Sequence, residues 1–334
     1  MHDPCIGPGK FCEFANPNEV LRMSEPIFQN WTNEVNANWG KAPLSIKHRL
    51  HEHSLFSLEA LEELIETYPR EHYALVHMGE QGSPKQSWRE GDIGKLSGKQ
   101  VIEAIAQGRM WIHLFRVGQV DKRYGRLLDD IFEEVDRNLG GYKTFTRLNG
   151  IIISSPNAQV YYHFDSAGQS LWQIRGRKRV YLYPTTPPYL TEESLEYVAM
   201  YANEVGIKYD PSYEQAATEF LLEPGTMMHW PLYTPHRVEN LDCLNISMTT
   251  EYWTEHIRRR QMVNLANGIL REKVGIAPKS TATSGAGFWA KAALQAGVRR
   301  SGLLKKAQKS KRPIEFKLDP RRPGGIIDLA AAAE

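Results

Sequence analysis

His163 and Asp165 stand in the run Tyr161-Tyr-His-Phe-Asp165, whose aromatic residues suit an extended strand. Residues two apart on a strand share a face, so the imidazole and the carboxylate are expected to project the same way. A His-x-carboxylate pair supplies two of the three ligands of a 2-His-1-carboxylate centre, which leaves positions of an octahedral Fe(II) open for substrate and oxygen. The third ligand has to be a histidine on a distant strand that faces the same cavity. The block Glu223 to Asn240 offers two: His236, after a proline-rich turn and before an alternating run, and His229, seven residues earlier.

Two further features stand in order with this pair. Lys178 follows His163 by fifteen residues, inside Gln173-Ile-Arg-Gly-Arg-Lys-Arg-Val180, and the block Pro224-Gly-Thr…Pro231-x4-His236 closes toward Tyr252-Trp253. With these motifs the chain resembles the Jumonji-C, cupin-like group of Fe(II)- and 2-oxoglutarate-dependent oxygenases, over roughly residues 140 to 255. The resemblance implies that Fe(II) is held by His163, Asp165 and His236, the Pro231-to-His236 spacing selecting His236 over His229. It implies 2-oxoglutarate as cosubstrate. The distal carboxylate left over after iron chelation needs a cation when buried, and Lys178 is placed to be that cation.

Gln169 falls where relatives often carry an asparagine that touches the cosubstrate. Val160 falls where many carry a threonine or serine that bonds its distal carboxylate. Valine cannot donate, so Tyr161 or Asn149 is expected to help. Asn245, Ser247 and Thr249 alternate along the closing strand and are candidate ligand contacts, Asn245 foremost. The activity implied is hydroxylation of a protein side chain, a peptide or a small molecule. The alternatives are a metal-dependent cupin without 2-oxoglutarate, an isomerase or dioxygenase, and a non-catalytic ligand-binding cupin. No companion reader motif points to histone demethylation.

The elements that must position these residues read as a mainly β chain with flanking helices: a double-stranded β-helix, or jelly roll, plus C-terminal helices. Hairpin signals put strands to about Asp165, over Gln169–Ile174 and over Lys178–Tyr183, with Gly176 at the tight turn. Tyr142–Ser155, Phe220–Asn240 and Asp242–Tyr252 complete the core, and Pro184–Gln215 is an insertion with a helix near Glu192–Asn203. Upstream, Ser57 caps a helix with Leu and Ile at helical spacing. Gly98–Gln107 and Tyr124–Leu139 are further helices, with strands at Tyr73–Met78 and Met110–Val117. Residues 1 to 45 hold little clear structure. The domain reading is therefore 1–255 for the jelly roll and its N-terminal elaboration, with the core at about 140–255. A helical segment over 256–309 is expected to hold a homodimer through the stripe Ile257, Met262, Val263, Leu265, Ile269 and Leu270. An extended tail occupies 310–334.

Composition sets the outer limits. The chain has 334 residues, 41% of them hydrophobic, and a net charge of +2. From His256 onward there are 17 Lys and Arg against 5 Asp and Glu, a balance of +12 that leaves −10 for the rest. A basic tail can grip nucleic acid, but no nucleic-acid module is recognisable and a solvated helix pair is the expectation. No apolar run reaches membrane-spanning length, and nothing resembles a signal peptide. Cys5, Cys12 and Cys243 give no disulfide framework, so a cytoplasmic location is expected. His51-Glu-His53 reads as surface, and Trp172, Trp230, Tyr233 and Trp253 read as core aromatics.

Overall fold

Alternation of apolar and polar residues along the strands gives the protein two sheets, described by a computed structural model over residues 25–79, 87–302 and 313–329. The strands are β1 (Leu44–Lys47), β2 (Tyr73–His77), β3 (Arg89–Asp92), β4 (Met110–Phe115), β5 (Phe145–Ser154), β6 (Gln159–His163) and β7 (Gly168–Arg175). They continue with β8 (Lys178–Leu182), β9 (Thr218–Leu222), β10 (Thr226–His229), β11 (His236–Asn240), β12 (Asn245–Trp253), β13 (Ile314–Leu318) and β14 (Ile326–Asp328). The large sheet runs β1-β10-β7-β12-β5-β4-β2-β3-β13-β14 and the small one β6-β11-β8-β9. Hairpin partners divided between two facing sheets are the jelly-roll arrangement.

The helices are α1 (Asn33–Asn38), α2 (Leu58–Glu66), α3 (Gly98–Gln107), α4 (Val117–Val120), α5 (Lys122–Asn138), α6 (Glu192–Tyr201), α7 (Glu255–Ile269) and α8 (Gly285–Ser301). Ser57 caps α2 through Ala60 N–H, and Ser97 and Gln100 close a capping box on α3. The stripe Leu127, Leu128, Ile131, Phe132 and Val135 of α5 is buried on the outer face of the large sheet, against Ile151, Ile153, Trp172, Ile246 and Met248. The inner face carries Leu171 and Met228, which meet Val180, Leu182, Leu222 and Val238 of the small sheet. A second layer of contact therefore lies between the sheets, and the site forms beside it.

Three expectations need correction. Residues 25–47 are not loose: Ile27, Phe28, Val35 and Trp39 are core residues, and the Glu134 carboxylate accepts the N–H groups of Ile27 (2.8 Å) and Phe28 (3.1 Å). The segment read as a tail is not one over residues 313–329, since β13 pairs in parallel with β3 and carries β14 on its other edge. Its cause is Phe316, fully buried where the bare backbone of Gly91 leaves room; a Cβ at Gly91 would lie 2.3 Å from the ring. The stripe of α7 is also covered within the chain. α7 packs on α6 and α8, where Leu265 and Ile269 are buried with Met200, while Ile257 is buried in the main core and Val263 is buried too, so that stripe no longer argues for a dimer. Cys5, Cys12 and the end of the second C-terminal helix lie outside the described residues.

If β13 is a structural strand, Phe316→Ala should remove about 3–5 kcal/mol of stability, as aromatic-to-alanine changes in cores do. Denaturant unfolding of the two proteins measures it. An unchanged midpoint would mean that the strand is an appendage.

Candidate metal centre

The small sheet sets the two histidines against each other. β6 and β11 are antiparallel, with His163 opposite His236 and Val160 opposite Val238. Three residues of β6 therefore advance where β11 advances two. This β-bulge puts both Val160 and His163 on the inner face, which plain alternation forbids for residues three apart. The imidazole rings stand 4.1 Å apart between centroids.

Asp165 joins them from outside the strand. β6 ends at His163 and β7 begins at Gly168, so the carboxylate is aimed by the intervening loop and not by strand alternation as expected. Phe164 anchors that loop, buried with its ring 5.7 Å from that of Tyr233, and Gln261 of α7 donates to the Ser166 carbonyl at 2.9 Å. Asp165 lies 3.9 Å from His163 Nε2 and 3.5 Å from His236 Nε2, and one ligand atom from each of the three residues falls within 4.8 Å of the others.

The donor set is prepared for a cation. His163 Nδ1 meets the Tyr161 carbonyl at 2.7 Å and His236 Nδ1 meets the Thr234 carbonyl at 2.9 Å. A carbonyl accepts only, so each Nδ1 carries the proton and each Nε2 presents a lone pair to the centre. Trp230 backs the His236 ring at 4.7 Å. Burial, reinforced by the carboxylates of Glu204 and Glu251, pushes Asp165 well above the usual carboxylate range. Burial and the neighbouring His163 push His236 well below its usual value. Asp165 Oδ2 is buried without a hydrogen bond among the described residues. A divalent ion at this point would reverse the Asp165 shift, because it favours the charged carboxylate, and would act in the same direction as the His236 shift, because it favours the neutral imidazole.

His229 is elsewhere. It sits on β10 in the large sheet, stacked on Trp39 at 3.9 Å, with Nδ1 on the Gln169 carbonyl at 2.8 Å, and burial holds it down at about 4. His51 and His53 are not part of the cluster; His53 caps a short helical turn through Leu55 N–H.

Lys178 opens β8 on its inner face, beside Val180 and Leu182, and is 3% exposed while Arg175 and Arg177 point outward. No carboxylate among the described residues pairs with it, and burial pulls its ammonium down to about 7, the Cys243 thiol acting weakly the other way. The turn before it needs Gly176, whose φ is +74° and whose missing Cβ would lie 2.4 Å from the Leu244 carbonyl. Gln169 shares the inner face of β7 with Leu171, and its Oε1 is buried without a partner among the described residues.

The other expected contacts divide. Asn245 is consumed internally: it accepts from Gln173 Nε2 at 2.8 Å and donates to the Cys243 carbonyl at 2.9 Å. Ser247 donates to Gln173 Oε1 at 2.8 Å. Asn149 faces the helices, accepting from Gly118 N–H and donating to the Tyr124 carbonyl, so it is no donor to the cavity. Tyr161 lies in the bulge with its ring 5.1 Å from that of Trp88. Trp172 donates to Thr250 across the outer face.

Sequence reasoning missed Glu204, Glu251 and His113. Glu251 and His113 line a cavity of about 550 Å³ with Glu71, Phe115, Arg116 and Gly150. Burial and Glu251 raise the carboxyl of Glu204, and burial raises that of Glu251 itself. Parity along β12 placed Glu251 on the face of Ser247 and Thr249 and was the signal available for it. Glu204 sits in the insertion, where no pattern pointed to the centre.

Residues 129–257 match the family model described as JmjC domain. No curated protein is matched in sequence. Among solved structures, ycfD from E. coli is 15% identical, with 87% of this chain and 76% of that one covered and a TM-score of 0.49. YcfD described as a ribosomal oxygenase from Escherichia coli in complex with cobalt and 2-oxoglutarate gives 15% identity, 86% and 74% coverage and a TM-score of 0.46. Likeness at that level transfers neither substrate nor site. The stretch that carries the three converging side chains, Gln169, Lys178 and the closing strand is thus the part of the chain that matches the JmjC domain model.

Proposed function

We propose that the protein is a 2-oxoglutarate-dependent hydroxylase whose iron is held by His163, Asp165 and His236. The observation that carries the reading is a largely buried 2-His-1-carboxylate cluster, His236 fully and His163 and Asp165 partly covered, in the same inter-sheet space as a buried lysine without a carboxylate partner among the described residues. Iron with 2-oxoglutarate supplies oxygen activation, the cosubstrate leaving as succinate and carbon dioxide while one oxygen atom enters a C–H bond.

The chain's residues do the positioning. The carbonyls of Tyr161 and Thr234 fix the two imidazoles in one tautomer. Trp230 and Phe164 exclude water around His236 and Asp165. Lys178 neutralises the distal carboxylate, and Gln169 reaches the cosubstrate from the opposite sheet with its free amide. The cavity of about 550 Å³ is of the size that takes a small molecule or one side chain of a peptide or protein. Glu71, Glu251 and Arg116 in its wall support a polar target over an aliphatic one. No helix among the described residues is long and apolar enough to cross a membrane; a cytoplasmic setting is our reading from the cysteine content.

Succinate formed from 2-oxoglutarate with Fe(II), together with a mass gain of one oxygen in a peptide or metabolite pool, tests the activity. Tight metal binding without succinate under any substrate would favour a cupin of another chemistry.

Loss of a protein ligand should lower Fe(II) affinity by more than the roughly 10- to 100-fold that outer contacts cost. His163→Ala and His236→Ala should therefore lose iron on dialysis. His229→Ala should keep it and lose about 2–5 kcal/mol of stability instead. Iron retained in the first pair and lost in the third would reverse the assignment.

Lys178→Met should weaken 2-oxoglutarate by about 100- to 3000-fold, since breaking a buried pair from one side costs about 3–5 kcal/mol. Exposed Arg177→Met should change little. The ammonium also sets a pH dependence. Its value in the folded protein is lowered to about 7, so the charged form is complete below that and lost as pH rises through it. Anion binding takes the proton back, and affinity should fall by up to about tenfold per pH unit above 7. Anaerobic titration from pH 6.5 to 9 reads this, and a flat profile in wild type would remove the lysine from the site.

A further inference from the structure

Val160 leaves the cosubstrate one donor short, and Tyr161, one of the two side chains expected to help, lies in the β6 bulge with its ring against Trp88. Asn245 and Ser247 are bonded to Gln173, and Asn149 is turned to the helices. One hydroxyl on the inner face of β12 remains. Thr249 is 5% exposed, and its Oγ1 is buried without a hydrogen-bond partner among the described residues. A buried hydroxyl left unpaired is costly, and native structures rarely keep one without a use.

Its surroundings are equally specific. Thr249 pairs with Leu171 on one side and with Gly150 on the other. Leu171 is in the inter-sheet cluster that Val160 packs against, so the hydroxyl lies on the same face of the cavity wall that looks toward Val160. On the other side, a Cβ built on Gly150 would lie 3.0 Å from Thr249 Oγ1 and 2.4 Å from His113 Nε2. Two polar atoms thus converge on the space that the absent side chain leaves, and both His113 and Gly150 line the cavity. The His113 side chain makes no hydrogen bond among the described residues, and burial holds it down at about 4, so it is a neutral imidazole with one N–H to give.

We infer that Thr249 and His113, over the bare backbone of Gly150, form a donor cradle for 2-oxoglutarate that does the work Val160 cannot do. The inference rests on the oxygenase reading above. Gly150 is part of it: any larger residue fills the cradle and displaces the imidazole.

The test is 2-oxoglutarate affinity, titrated anaerobically into Fe(II)-loaded protein, with Fe(II) affinity measured separately. Thr249→Val keeps shape and removes the hydroxyl, and a hydrogen bond to a charged group corresponds to about 10- to 100-fold in affinity. Thr249→Val and His113→Phe should each lose about that much with iron affinity unchanged, and Gly150→Ala should lose at least as much. Thr249→Ser, which keeps the hydroxyl, should bind as wild type. Val160→Thr placed in the Thr249→Val background should recover most of the loss, a rescue that a merely structural threonine would not give. Wild-type affinity in Thr249→Val and His113→Phe overturns the cradle and leaves the oxygenase standing. No binding to wild type overturns the oxygenase reading, and the cradle with it.

Discussion

A carboxylate, two imidazoles and an ammonium group share the space between two sheets, and most of the architecture follows from making that arrangement tolerable. Charges taken out of water cost several kcal/mol each after relaxation. Here the shifts run in the direction that cost dictates: Asp165 upward, His236 and Lys178 downward. The Asp165 carboxylate and the Lys178 ammonium become favourable when an ion of the opposite sign arrives, while His236, already neutral, presents a lone pair. A divalent cation would satisfy the first cluster and a dicarboxylate the lysine, so the interior is electrostatically incomplete in two places, with complementary signs.

Keeping those two places apart within the space between the sheets falls to the register of the small sheet. Lys178 lies opposite Asn240 and Leu182 opposite His236, so the lysine and the metal histidine face inward at the two ends of neighbouring strands. Val180 and Val238, paired with each other, fill the length between them with apolar surface. The bulge in β6 then corrects the phase of one strand alone, bringing His163 inward without turning Val160 out. A regular strand would have presented one of the two residues to solvent.

The jelly roll and its helices were legible because amphipathic periodicity is strong where a sheet is covered on one face. α3 was bounded to the residue, and the stripe of α5 was read correctly. The convergence of His163, Asp165 and His236 was legible from spacing, but Asp165 is held by a loop and not by the strand alternation expected of it. What escaped was whatever depends on contacts distant in sequence. The N-terminal segment looks structureless because its anchor is the Glu134 carboxylate, more than a hundred residues away. β13 looks like a tail because its partner is the glycine at position 91. Asn245 and Thr249 have the same parity and similar polarity on β12, and only the position of Gln173 on the neighbouring strand separates a satisfied side chain from a free one.

The loop that carries Asp165 explains why a closed jelly roll keeps helices after its last strand. Strand ligands inherit their precision from the ladder, but a loop ligand has to be held by something else, and a small error of placement is enough to spoil a metal site. Gln261 bonds the Ser166 carbonyl, and Asn264, one turn on, donates to the Tyr233 hydroxyl beneath Phe164. Arg260 is bidentate to Glu192 at the start of α6, and Arg271 bonds the buried Glu196 on the same helix. α7 is thereby fastened at one end to the loop of the carboxylate ligand and along its length to the insertion that brings Glu204 near it. Arg260 within the helix and Arg271 just after it make these pairs, whereas Arg258 and Arg259 pair with Glu255 of the helix itself. Arg260 and Arg271 thus fix this helical segment against an acidic insertion, and the fixed helix in turn holds the loop of Asp165, the one member of the cluster that the sheets do not position.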